Sequence, residues 1–122
     1  MHVASYWFLN GKNLIISIMK HINITHSIEL LMSILVTSPC PDSKVEELGI
    51  KNWPIWSCEA SSFDWTYDDK ETCLLLEGEV TVTPEGGQPV KIGAGDLVIF
   101  PTGMNCRWDV HQAVRKHYRF GD

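Results

Sequence analysis

Glu71-Thr-Cys-Leu-Leu-Leu-Glu-Gly-Glu-Val-Thr-Val-Thr83 is the stretch on which the reading of the fold turns. Cys73 to Leu76 is an unbroken apolar run, the pattern of a strand buried on both faces. Val80 and Val82 alternate with Glu79, Thr81 and Thr83, the pattern of a half-buried strand. Glu77-Gly78 between them supplies the positive backbone angles of a two-residue turn, so the spacing predicts a β-hairpin.

Working outward, short extended segments recur between glycine and proline turns. Phe63, Trp65 and Tyr67 share one face by the period of two, and the turns Pro84 to Gly87 and Gly93 to Asp96 bracket a strand at Pro89 to Ile92. Strands follow at Leu97 to Phe100, Asn105 to Val110 and Val114 to Phe120, with Asp109 to Ala113 read as turn-like. Strands of this length and spacing predict an all-β sandwich or barrel.

The first 43 residues differ in character. Ile24, Ile28, Leu31 and Leu35 recur at helical spacing, which suits an amphipathic helix over Thr25 to Val36, while Ile16, Ile18, Ile22 and Ile24 alternate as in a strand. Ser38-Pro-Cys-Pro-Asp-Ser43 reads as a linker. The division is therefore an irregular or partly helical extension, residues 1–43, and a compact domain, residues 44–122. An acid-poor, serine-containing leader is the pattern of an organellar transit peptide, although this one contains no arginine. A chloroplast location follows from that pattern, with the cytoplasm as the alternative.

Bulk composition excludes some classes. A net charge of -5, from 10 basic and 15 acidic residues, disfavours a nucleic-acid grip built on a basic surface. Leu14 to Met19 is too short an apolar run to cross a membrane. Cys40, Cys58, Cys73 and Cys106 form no C-x-x-C pair, so buried thiols in a reducing compartment are expected.

The spacing Glu71 to Gly78, followed by Gly95, Pro101 and Gly103, resembles the two motifs of the cupin superfamily of jelly-roll barrels. The wording N-W-P-I-W-S-C, F-D-W-T-Y, G-D-L-V-I-F-P and R-K-H-Y-R-F is similar to the small RmlC-like cupins of plants and bacteria classed with the ureidoglycine aminohydrolase cupin domain. The resemblance covers residues 44–120 and implies a single-domain cupin barrel, a homodimer through paired edge strands and, from some plant relatives, a scaffold role in a plastid complex. It also implies a metal, but the histidine ligands are missing. Asp64 and Thr66, or Trp65 and Tyr67, stand where His-x-His is placed, Cys106 stands for the last histidine and Val110 for the asparagine. Only Glu71 remains, so no metal cofactor is expected.

Strand parity places Trp65, Tyr67, Glu71, Cys73 and Leu75 toward the lumen, with Cys106 and Trp108 from a later strand and Lys116 and Tyr118 from the last. Lys116 is the odd member of an apolar face, and Glu71 is its expected partner. Three readings of this set stand side by side. In the first the residues fill the barrel and nothing binds. In the second Trp65, Tyr67, Glu71, Cys73, Cys106, Trp108, Lys116 and Tyr118 line a pocket for a small organic ligand. In the third an enzyme uses Glu71 as acid or base, Lys116 as electrostatic stabiliser or Cys106 as nucleophile, with a zinc on Glu71, Cys106 and either Cys58 or Cys73 as a variant. His111 is expected on a solvated turn, and Arg115, His117 and Arg119 form a basic stripe on the outer face.

Overall fold

The computed structural model describes residues 32–122. The expected strand near Ile16 to Ile24, most of the expected helix and most of the extension expected as a transit peptide lie outside those residues. Their compact unit runs from Ile34 to Asp122. It contains β1 (Leu35–Thr37), α1 (Asp42–Leu48), β2 (Ile55–Cys58), β3 (Ser61–Thr66), β4 (Glu71–Pro84), β5 (Val90–Gly93), β6 (Leu97–Phe100) and β7 (Asn105–Phe120).

The architecture is the expected all-β jelly roll, built on a different frame from the predicted hairpin. β4 is one strand of 14 residues and β7 one of 16, and they pair antiparallel from Glu71 opposite Phe120 to Pro84 opposite Cys106. Four short strands complete this long ribbon. β6 pairs with the first half of β4 and β5 with its second half, while β3 and β2 pair with successive halves of β7. β1 adds to β6.

Glu77-Gly78 is therefore a bulged bend inside β4, and Asp109 to Ala113 is part of β7. Between Leu75 opposite Lys116 and Val80 opposite Val110, β4 advances five residues (75 to 80) and β7 six (116 to 110). An unequal count bends a ribbon and changes which side chains face inward. The buried side of β4 accordingly changes from odd positions, Cys73 and Leu75, to even ones, Val80 and Val82. Glu-Gly flanked by strand patterns has the same sequence signature in a hairpin and in a bulge, and only the strand pairing separates the two. Gly78 has φ 108°, and a Cβ there would lie 2.8 Å from the Ala113 carbonyl oxygen and from Val114 Cα.

The bent ribbon folds both halves around one core that includes Tyr67, Leu75, Val82, Val98, Phe100, Trp108 and Val114. A second, smaller cluster of Ile50, Leu74 and Leu97 lies on the opposite face of β4, covered by Val45, Leu48 and Trp53. The uninterrupted run Cys73 to Leu76 is explained by these two clusters, since alternate residues serve each. α1 begins within the segment read as a linker, directly after Pro41, and ends at Gly49 in the left-handed conformation. Leu35 to Thr37 is strand rather than the end of a helix, because β6 offers it an edge. The expected start near Lys44 thus falls inside the compact unit.

Gly78→Ala should destabilise the domain by roughly 2–3 kcal/mol, from left-handed strain together with a backbone clash. Urea denaturation measures this, and a loss below about 0.5 kcal/mol would mean that the bulge does not require glycine.

Candidate functional site

One end of the barrel holds a cavity of about 180 Å³ lined by Trp56, Phe63, Trp65, Tyr67, Glu71, Trp108, Lys116, Tyr118 and Phe120. The pairings bring these residues together from four strands and the segment after β3. Trp56 of β2 lies opposite Lys116 of β7, Phe63 of β3 opposite Trp108, and Glu71 of β4 opposite both Phe120 and Phe100. Tyr67 follows β3 and is fixed by backbone bonds in both directions. Its N–H donates to the Met104 carbonyl, and its own carbonyl accepts from the Gly103 N–H.

The rings pack with defined geometry. Phe63 stacks on Trp108 at 6.0 Å and Tyr67 on Phe100 at 4.6 Å, while Trp56 meets Trp108 edge to face at 6.1 Å. Trp65 and Phe120 stand at the rim, 47% and 49% exposed. Within this aromatic wall Lys116 Nζ donates to Glu71 Oε2 at 2.5 Å, and the two side chains are only 6% and 5% exposed. Nζ also lies 4.8 Å from the centroid of Trp108 and 5.0 Å from that of Trp56, so the ring faces help to hold the ammonium.

Buried neutral acids surround the pair. Burial, reinforced by the negative charge of Glu71, raises the Tyr67 phenol far above its ordinary value and keeps it protonated; its hydroxyl oxygen accepts from Trp108 Nε1–H at 3.2 Å. Burial pushes the Cys73 thiol up to about 12, with Lys116 opposing the shift and Glu71 adding to it. Burial likewise pushes Cys106 up to about 11, and its thiol donates to the Trp65 carbonyl at 3.5 Å.

Six of the eight residues expected at a pocket line this cavity: Trp65, Tyr67, Glu71, Trp108, Lys116 and Tyr118. Cys73 and Cys106 are buried but do not line it. Cys106 instead borders a separate surface cleft with Asn105 and Arg107, and burial favours the protonated form of its thiol. Trp56, Phe63 and Phe120 were missing from the expected set. Phe63 and Phe120 share the parity of residues that were named, whereas Trp56 enters only through the distant β2–β7 pairing.

The metal implied by the cupin resemblance finds no matching donor set. Glu71 is engaged by Lys116 and Cys106 by a backbone carbonyl. Among the described residues no three His, Cys, Asp or Glu side chains are grouped to hold an ion, and this removes the zinc variant on Glu71 and the cysteines. All four cysteines are free, two of them buried and two half-buried.

Outside the barrel the basic stripe is engaged internally. Arg115 pairs with Glu77 at 3.1 Å, His117 Nδ1 lies 2.9 Å from the Trp53 carbonyl, and Arg119 stacks over the Trp53 ring at 4.7 Å. His111, expected on a turn, sits in β7, exposed, with Nε2 2.8 Å from Thr81 Oγ1.

A bent antiparallel ribbon closed by short strands, with a buried ion pair inside one mouth, defines a small RmlC-like cupin. The chain belongs to the EutQ-like cupin domain family, whose profile matches residues 45–118. It is similar to a DUF861 family protein from Thermotoga maritima, with 49% identity and a TM-score of 0.70 over 73% of this chain and 100% of that one. It also resembles the structure described as ethanolamine utilization protein Q from Salmonella typhimurium, with 29% identity and a TM-score of 0.50 over 54% of this chain and 53% of that one. A DUF861 family protein from Pseudomonas syringae shares 26% identity at a TM-score of 0.51, over 55% of this chain and 29% of its own. No curated protein matches the chain at a significant level.

The thiol environment predicts a pH dependence. The Cys73 thiol titrates from a reference value of 9.0 to about 12 when folded. Its contribution to stability is complete below pH 9, where both states are protonated. It is lost as pH rises through 12, because the unfolded chain releases the proton first. Stability should fall above pH 9 at roughly 1.4 kcal/mol per unit for this group, and Cys73→Ser should flatten the slope. Denaturation midpoints at pH 8 to 10.5 test this, and a slope unchanged in the variant would contradict it.

Proposed function

We propose that the chain binds a small organic molecule in the aromatic mouth of the barrel, against Glu71 and Lys116. The observation that carries this reading is an accessible cavity of about 180 Å³ walled by rings, with a buried ion pair as its polar feature. Ligand sites are usually apolar concavities with a few placed polar groups, and this one has that composition. An apolar cavity of about 150 Å³ admits benzene, so the volume suits a single ring or a molecule of similar size.

The role proposed is binding. The lining holds neither cysteine nor histidine, and its two charged groups neutralise each other. Trp65 and Phe120 at the rim would close over part of a bound molecule, giving their exposure a use that core filling would not.

A fragment library screened by ¹H–¹⁵N NMR tests the reading. Binding fragments should shift the indole N–H of Trp108, and Trp65→Ala, at an exposed position, should weaken them about tenfold, the scale of one lost aromatic contact. Fragments that shift only residues outside the cavity, or that bind Trp65→Ala unchanged, would overturn it.

A further inference from the structure

We infer that the ligand of this cavity is a neutral, flat ring carrying adjoining hydrogen-bond donor and acceptor groups, of the carboxamide or lactam class. The inference rests on the pocket reading above and is carried by the charge balance of the cavity wall.

Glu71 and Lys116 are both desolvated and bonded to each other, so the polar end of the cavity has no net charge. A carboxylate ligand would gain Lys116 and meet Glu71, whereas an ammonium ligand would gain Glu71 and the rings and meet Lys116. In either case an unpaired charge would remain on a side chain that is almost wholly buried, which is costly. A neutral ligand avoids that penalty.

The pair nevertheless keeps unused hydrogen-bonding capacity. A carboxylate offers about four lone-pair sites and an ammonium three N–H donors; the Lys116–Glu71 bond uses one of each, the Cys73 thiol takes a further position on Glu71, and the Trp56 and Trp108 rings lie against the ammonium, which still leaves sites on both. The Tyr67 hydroxyl accepts from Trp108 while burial keeps its own proton in place, which leaves that O–H to donate. Acceptor capacity on Glu71 and donor capacity on Lys116 and Tyr67 thus belong to three residues lining one cavity. A carboxamide matches both, its N–H groups donating to Glu71 and its carbonyl accepting from Lys116 or Tyr67. Its ring would lie among Trp56, Phe63, Trp65 and Trp108, where flat apolar surface is available.

Four probes of similar shape separate the cases on the unmodified full chain at pH 7: benzamide, benzoate, benzylamine and toluene. Each is titrated while the Trp108 indole N–H is followed by NMR. Benzamide should bind with a Kd at least about tenfold lower than each of the others. Benzoate or benzylamine binding as tightly as benzamide would overturn the neutral-ligand inference and leave the pocket standing. Toluene matching benzamide would overturn the polar pairing and describe a purely apolar pocket. If none of the four moves Trp108 at millimolar concentration, both the ligand class and the pocket reading fall.

Discussion

Removing a carboxylate and an ammonium from water costs several kcal/mol per ion, and their attraction offsets that cost only when the two meet with good geometry. In this barrel Lys116 meets Glu71 across the inner face of the β4–β7 ribbon, and the rings of Trp56 and Trp108 flank the ammonium. The remaining features of the site depend on this arrangement. The carboxylate adds to the rise in the Tyr67 and Cys73 pKa values, so a neutral phenol and a neutral thiol surround a compensated pair. Without the lysine the same pocket would hold a lone buried carboxylate, a group that takes up a proton or a metal. With it, the position that remains from the cupin metal set is engaged by an internal cation.

The pair can form because the long strands bend. If β4 and β7 were straight, one face of the ribbon would lie in solvent and the barrel would stay open. The unequal residue count between Leu75 and Val80 changes the inward parity of β4 and folds both halves over one core. Gly78 permits this, as its Cα passes against the backbone of Ala113 and Val114 where a side chain would not fit. The two ends of β7 then present Trp108 and Lys116 to the same cavity, eight positions apart in sequence.

Much of the site was legible because inward parity survives errors in strand boundaries. Glu71 and Lys116 were matched as the charged members of apolar faces, and Trp65, Tyr67, Trp108 and Tyr118 followed by the period of two. The two long strands were not legible. Exposed polar residues at His111 and Gln112 resemble a turn, and Glu77-Gly78 resembles a hairpin, although the change from Cys73 and Leu75 to Val80 and Val82 carried the signature of a bulge. Trp56 escaped because its contact with Lys116 arises from a pairing about sixty residues away, which local pattern does not encode. The cysteines were overcounted because a cavity-facing and a core-facing side chain share parity, and only depth along the barrel separates them.

A double-mutant cycle on Glu71→Gln and Lys116→Met, followed by urea denaturation at pH 7, tests the account most directly. Each single change should cost about 3–5 kcal/mol by leaving one buried group unpaired, and the double variant should cost clearly less than the sum of the two. Single costs that add to within about 0.5 kcal/mol would contradict the account, because they would mean that the two residues do not interact inside the barrel.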